Sequence, residues 1–503
     1  MSDKDYVNLM PSPSSLMESL RDIGYSMETA VADIIDNSIT AGSRNVDIRF
    51  SWNAGKPWLA VVDNGCGMSK AELVSAMRFG SASPLKRRAA NDLGRFGLGL
   101  KTASISQCRH LIVASKQGDE FTACEWDLDQ VEQSVDGQWR LGLLTSEECG
   151  EHTLLGDLVR DILAPHDSGT LVLWQRFDRL GELGAPLARE RTFNALLGSV
   201  RSHLELVFHR YLRPDPGKRR LIITMNGAEL AGFDPFHPGT LATQELPVQR
   251  FRVEDQEVVV QPYILPHHTK VSREDYDRYA GEGGYLHNQG FYVYRNRRLI
   301  IKATWFRLMK KAELSKLVRV RVDIPNTLDH LWKIDVKKSA ASPPESVRQQ
   351  LRQVLGRIEI QGRRVYTQTG QRLTANVQTP AWHKRAKSGS IFYEINRDYP
   401  PLKQLKATMQ DGQRETFDAL LSTLEQTFPR DLFFHDVADT PEKLKAPVID
   451  QSALENLLDQ FLAFWSPEDI SSEELAERIL AAEPFASNRD AAKSLLTERG
   501  YLS

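Results

Sequence analysis

Hydrophobic and polar positions along the first 185 residues alternate between helical and strand spacing. "SSLMESLRDIG" predicts a short helix with a serine cap, stopped by Gly24. "VADIIDNSIT", from Val31 to Thr40, predicts a second helix. "NVDIRFSW" and "PWLAVVDNG" predict two strands separated by "NAGK". "KAELVSAMRFG" returns to helical spacing, and the polar stretch "SASPLKRRAANDLG" reads as a loop. "GLGLKTASISQC" predicts another helix, followed by strands in "HLIVASKQ", "EFTACEWDL" and "GTLVLWQRF". Helices mixed with several antiparallel strands predict an α+β layer.

Further along, "RLIITMNGAEL" and "GFYVYRNRRLIIKATWF" predict hairpins turning at Asn-Gly and Asn-Arg. "SKLVRVRVDIP" predicts a strand, and "PPESVRQQLRQVLGRIEIQGRRVY" a long basic helix. "GSIFYEINRDYPPL" is the one strand-like run of the last region. It precedes helices in "RETFDALLSTLEQTF" and "ALENLLDQFLAFW" and a helical tail. The predicted division is 1–185, 186–364 and 365–503, the last mostly helical. A chain of 503 residues is too long for one ordinary core, which agrees.

Composition changes this picture little. The formal net charge is −2, which excludes a globally basic protein but not a local basic groove. Cys66, Cys108, Cys124 and Cys149 form no C-x-x-C pair, as expected of reduced thiols in a cytoplasmic protein. "MSDKDYVNLM" is polar and acidic, unlike a secretory signal. No run approaches the roughly 18 apolar residues of a membrane span.

The candidate chemistry is concentrated early. Asp33, Asp36, Asn37 and Thr40 share one helical stripe, at about 3.6 residues per turn. The stripe reads either as the water-facing side of an amphipathic helix or as a set of ligand contacts; solvated stripes favour Lys, Glu and Arg, the better helix formers, so Asp, Asn and Thr hint at the second. "VVDNGCGM" ends a strand at Asp63 and turns through Gly65 and Gly67. It reads either as a simple turn or as a carboxylate beside glycines that a flat ring can approach. In "GRFGLGLKTA", Gly94, Gly97 and Gly99 precede a helix, where free N–H groups and the dipole attract anions. Lys101 could add a positive charge there or lie in solvent.

Taken together within about 75 residues, these stretches resemble the motifs of the GHKL ATPase superfamily of DNA gyrase, ninety-kilodalton heat-shock chaperones, histidine kinases and MutL. "VADIIDNSITAG", "DNGCGM", "GRFGLGLKTA" and "SGTLVLWQRF" match its four motifs in order. "GFYVYRNRRLIIKATWF" resembles the transducer strand pair of MORC and related prokaryotic ATPases. The resemblance implies a Bergerat-type α/β sandwich followed by a transducer-like α/β domain. It implies ATP and Mg²⁺ as ligands. Asn37 would bind the metal, and Asp63 would accept from the adenine amino group. Gly65, Gly67 and Met68 would lie along the base, and Thr170 would support that end. Gly94, Arg95, Phe96, Gly97, Leu98, Gly99, Lys101 and Thr102 would surround the phosphates. Residues from about Phe79 to Arg95 would form a lid. Lys333 or Lys337 would reach the γ-phosphate from the second domain.

Asp33 stands where the family has a glutamate that activates water. Aspartate is one methylene shorter, and a misplacement of roughly 1 Å can cost on the order of 100-fold in rate. The expected function is an ATP-driven, homodimeric clamp with slow turnover through Asp33. DNA is the expected client, through the arginine-rich run after residue 346, in a prokaryotic anti-phage or restriction-type system. The alternative is a non-hydrolysing, ATP-dependent scaffold for a protein partner. A histidine kinase is disfavoured, because the nucleotide fold there follows a phosphorylated helical pair.

Overall fold

The computed structural model describes residues 11–22, 24–80, 99–134, 138–180, 186–332, 343–356, 380–387, 390–429, 449–465 and 471–502. The chain divides into two compact units, 1–360 and 361–503. Among the described residues no helix is long and apolar enough to cross a membrane.

Among the described residues the first unit contains two sheets. The larger has eight strands in the order β5-β4-β3-β6-β2-β1-β7-β8. These are β1 (Asn45–Ser51), β2 (Trp58–Asp63), β3 (His110–Gln117), β4 (Glu120–Asp127), β5 (Gly142–Leu144), β6 (Ser168–Gln175), β7 (Ile222–Met225) and β8 (Ala228–Glu229). Every pairing is antiparallel except β1 with β7. Four helices matter for the site: α1 (Pro13–Arg21), α2 (Met27–Thr40), α3 (Lys70–Met77) and α4 (Gly99–Gln107). Helix α3 begins with a capping box. Ser69 Oγ accepts from the Glu72 N–H, and Glu72 Oε2 accepts from the Ser69 N–H.

The period of two along the central strands sorts their side chains between two cores. Leu59 and Val61 of β2, Leu111 and Val113 of β3, and Val172 and Trp174 of β6 join the core beneath α2 and α4. Ala60 and Val62, Ile112 and Ala114, and Leu171 and Leu173 face the opposite cluster. Strands covered on both faces carry nearly continuous apolar runs, which is why "WLAVV" and "HLIVA" lack polar alternation.

After three short helices, α5 (Leu128–Gln133), α6 (Ser146–Glu151) and α7 (Thr153–Leu158), comes α8 (Pro186–Val207), then α9 (His209–Leu212). Helix α8 had no sequence-based prediction. Its buried residues Phe193, Leu197, Val200, Leu204 and Val207 keep helical spacing and pack on α2. The large sheet also takes β7 and β8 from beyond residue 185. One core therefore runs from α2 through α8 to Phe236, Tyr292, Tyr294 and Leu299.

The second sheet has the order β10-β11-β14-β12-β13, with β9 paired to β11. Its strands are β9 (Gln244–Glu245), β10 (Gln249–Val253), β11 (Gln256–Ile264), β12 (Gly290–Arg295), β13 (Arg298–Thr304) and β14 (Val318–Ile324). The β12–β13 hairpin turns on Asn296 and Arg297, both with positive φ (48° and 67°), as a tight two-residue loop requires. The β10–β11 hairpin turns on Glu254 and Asp255 in the same way, without the glycine that would have marked it. Residues 345–356 are helical, with Val347, Leu351, Val354 and Leu355 buried.

In the second unit, a hairpin pairs Trp382–Lys387 with Ser390–Ile395. The helices Pro400–Thr408, Asp411–Gln426, Gln451–Trp465, Ser472–Leu480 and Arg489–Glu498 follow. The last three share a core built on Leu458, Phe461, Ile479, Phe485 and Leu496.

Candidate active site

Strand register assembles one end of the site. Asp63 continues the Leu59, Val61 series, Ser115 the Leu111, Val113 series, and Thr170 precedes Val172 by two. All three side chains therefore lie on the face covered by α2. Asp63 pairs in register with Thr170, and Thr170 with Ser115, so the three form a row across β2, β6 and β3. Ser115 Oγ lies 3.3 Å from Thr170 Oγ1, accepts from the Met68 N–H at 2.8 Å and donates to the Gly169 carbonyl at 3.0 Å.

Asp63 is 7% exposed. Ser38 Oγ of α2 donates to its Oδ2 at 2.8 Å, and the Gly65 N–H to its Oδ1 at 2.8 Å. Burial raises its pKa, while the donors from Gly65, Ser38 and the Thr170 backbone hold it down. The result is a fixed hydrogen-bond acceptor at the end of a strand.

Glycine is required beside it. A Cβ on Gly65 would stand 2.7 Å from Ala41 Cβ, and one on Gly67 would stand 2.0 Å from the Lys116 carbonyl oxygen. Gly67 also has φ of 67°. The turn is thus wedged between α2 and β3, and Met68 follows it half-buried.

Helix α2 carries the other end. Asp33 is 3% exposed, and Tyr25 Oη donates to its Oδ2 at 3.0 Å. A Cβ on Gly99, the first residue of α4, would lie 3.6 Å from the same oxygen. The carboxylate thus abuts the N-terminus of a nine-residue helix, where amide groups favour negative charge.

The predicted polar stripe of α2 divides. Successive residues are about 100° apart on a helix, so Asp36 and Asn37 leave Asp33 on opposite sides. Asn37 is exposed, one turn beyond Asp33. Asp36 is 1% exposed and pairs with Arg298 of β13, Nε to Oδ1 at 3.3 Å. It serves the joint between the two sheets rather than the metal position beside Asn37.

Asn37 suits Mg²⁺, which takes few protein oxygens and keeps phosphates and waters. Among the described residues no group of three His, Cys, Asp or Glu could hold a metal.

Lys101 departs from expectation. It is 1% exposed, and its Nζ donates to the carbonyls of Ala76 and Arg78 at 2.7 and 2.8 Å. Those carbonyls end α3, where a cation complements the dipole. Burial pushes its pKa down to about 8. Lys101 is thus neither a solvated lysine nor aimed at phosphate; it ties α4 to α3. Thr102 is wholly buried beside it.

Gly94, Arg95, Phe96, Gly97, Leu98, Lys333 and Lys337 lie outside the described residues, as does the expected lid beyond Gly80. The sequence reading missed Tyr25, Ser38, Ser115 and Arg298. Ser115 had a usable signal, since it holds an inward position directly after the apolar run Leu111–Ala114. The other three are recognisable only by what they touch.

The predicted basic stripe after residue 346 is partly neutralised. Arg348 and Arg352 pair with Glu345 at 3.4 and 3.0 Å, and Arg348 also donates to the Phe306 carbonyl.

Residues 25–159 match the family described as Histidine kinase-, DNA gyrase B-, and HSP90-like ATPase. Similar proteins include ATPase morc-1 of Caenorhabditis elegans, 30% identical over 95 residues, covering 19% of this chain and 11% of that protein. The DNA mismatch repair protein MutL of Thermoanaerobacter sp. (strain X514) is 34% identical over 91 residues, covering 17% of this chain and 14% of that protein. The human Structural maintenance of chromosomes flexible hinge domain-containing protein 1 is 35% identical over 83 residues, covering 14% and 4%. The chain therefore matches only a small part of each relative's length.

Proposed function

We propose, for a chain whose residues 25–159 belong to the histidine kinase-, DNA gyrase B- and HSP90-like ATPases, that it binds ATP with Mg²⁺, hydrolyses it slowly through Asp33, and uses the nucleotide to close a homodimeric clamp on DNA. The observation that carries nucleotide binding is Asp63. It is a buried carboxylate held by Ser38 and Gly65, beside a glycine turn wedged against β3. Such an acceptor suits an adenine amino group, with Gly67 and Met68 along the ring and Thr170 behind it. The phosphates would then extend toward the N-terminus of α4 and Asp33.

In hydrolysis, water forms a bond to the γ-phosphorus while the bond from that phosphorus to the bridging oxygen breaks, and ADP leaves with the electron pair. Asp33 takes the proton from the attacking water. Tyr25 orients the Asp33 carboxylate. Asn37 would hold the magnesium ion, whose contribution is to neutralise charge on the phosphates. Lys333 or Lys337 is proposed to sense the γ-phosphate from the second sheet's domain.

DNA as client is supported by the similarity to MutL, a DNA mismatch repair protein. The short Asp33 side chain, with one oxygen engaged by Tyr25, favours a second reading in which ATP is bound as a switch without turnover.

ATP affinity and turnover separate these readings. Asp63→Ala is expected to weaken ATP binding more than tenfold. Asp33→Ala should keep ATP affinity and lower kcat about 100-fold or more, with partial recovery in Asp33→Glu. Equal turnover in wild type and Asp33→Ala rejects Asp33 as the base and leaves the switch. Unchanged ATP affinity in Asp63→Ala rejects the site.

A further inference from the structure

A cavity of about 670 Å³ lies where the C-terminal end of α2 meets α9, the 215–221 loop and the β12–β13 turn. Six cations line it, Arg44, Arg210, Lys218, Arg219, Arg220 and Arg297, against a single carboxylate, Asp215. Two of the six are already paired within the fold. Arg210 engages Asp323 and Asp215, and Arg220 engages Glu229. Among the described residues, Arg44, Lys218, Arg219 and Arg297 have no carboxylate at ion-pair distance. Four uncompensated charges on one basin are unexpected in a chain whose net charge is −2.

Arg297 is the best placed of them. It occupies the hairpin turn with φ of 67°, a conformation that costs a residue with a Cβ about 1 kcal/mol. Its guanidinium lies 4.3 Å over the Tyr211 ring and donates one bond, to the Arg210 carbonyl at 3.4 Å. Stacking fixes the plane and leaves further donors to meet an oxyanion in a fork. The C-terminus of α2 opposes an anion with about half a charge, which four full cations outweigh.

Arg44, Lys218, Arg219 and Arg220 are exposed, so the basin opens to solvent along one side. An open basin with spread cations fits a chain of phosphates better than one small anion. We propose that this basin binds the phosphate backbone of duplex nucleic acid, without reading its sequence. The inference deepens the DNA-clamp reading and rests on it. It assigns the contact to Arg44, Lys218, Arg219 and Arg297 rather than to the arginine-rich run after residue 346.

The test measures binding of the full chain to a labelled duplex of arbitrary sequence across a salt series. Inorganic polyphosphate is titrated in parallel, and ATP affinity serves as the control for folding. Lys218 and Arg219 are exposed, so Lys218→Ala/Arg219→Ala should fold normally. That variant is expected to lose duplex affinity at least tenfold and to flatten the salt dependence by about two in log–log slope. Arg297→Ala should flatten it by about one, with ATP affinity intact. The charge-matched control Arg252→Ala/Lys270→Ala, outside the basin, should bind like wild type. Wild-type affinity in both basin variants, or equal loss in the control, overturns the assignment while leaving the DNA reading in place. Failure of the wild type to bind duplex at low salt overturns both. Binding of polyphosphate without duplex shows that the anion comes from another source and overturns the commitment to nucleic acid.

Discussion

The pair Asp36–Arg298 joins the helix that carries Asp33 and Asn37 to the hairpin of the second sheet, and its removal has a calculable cost. The side chains are 1% and 5% exposed, so neither charge is hydrated when its partner is deleted. At the observed 3.3 Å, an effective dielectric near 20 gives an attraction on the order of 5 kcal/mol, offset in the intact protein by desolvation. Arg298 has further partners in the Leu299 carbonyl, at 2.6 Å, and the Phe208 ring, at 5.3 Å, but neither supplies a negative charge. Asp36→Ala leaves the guanidinium buried without that carboxylate. The expected loss is about 3–5 kcal/mol, roughly 100-fold to several-thousand-fold in the folding equilibrium. Replacing both groups by apolar ones, Asp36→Leu/Arg298→Met, should recover most of this, because no charge remains to be desolvated. The assay is urea unfolding followed by tryptophan fluorescence. Seven of the nine tryptophans precede residue 361, so the signal reports mainly the first unit. A loss below about 1 kcal/mol in Asp36→Ala, or a double variant as unstable as the two singles combined, refutes the reasoning.

Three further outcomes are expected. Lys101 has a folded-state pKa of about 8 against 10.5 in the open chain, so the folded state binds fewer protons between those values. The stability it contributes is complete above pH 10.5 and lost as pH falls through about 8. Urea midpoints should therefore rise over that window in wild type, and by less in Lys101→Met; equal slopes would remove the burial argument. Tyr25→Phe should lower kcat about tenfold with ATP affinity unchanged, because only the orientation of Asp33 is relaxed; unchanged turnover assigns Tyr25 a purely structural role. Gly67→Ala must displace the Lys116 carbonyl and adopt a positive φ, so a loss of about 2–4 kcal/mol in urea unfolding is expected, with weakened ATP binding.

The sequence by itself determined the elements around the candidate site and the polar residue types that line it. The apolar spacing of α2, the strand runs ending at Asp63 and Gln117, and the turn through Gly65 and Gly67 were legible, because each is a local consequence of periodicity or backbone freedom. The resemblance to the ATPase motifs followed from the same short stretches. What periodicity could not say was which neighbour each polar side chain would meet. Asp36 and Asn37 look alike on a helical stripe, yet one is buried against Arg298, 262 residues later, and the other faces solvent. Lys101 looks like a phosphate ligand until α3 ends within reach of its ammonium. Ser38, Ser115 and Tyr25 acquire roles only when α2, β3 and the segment before α2 converge on Asp63 and Asp33. The basic basin is assembled from α2, α9, the loop after it and a hairpin turn near residue 297, none of which is conspicuous alone. Local structure depends on nearest neighbours in the chain and can be read along it. Pairing of charges and hydrogen bonds depends on distances in space, which only the packed sheets and helices decide.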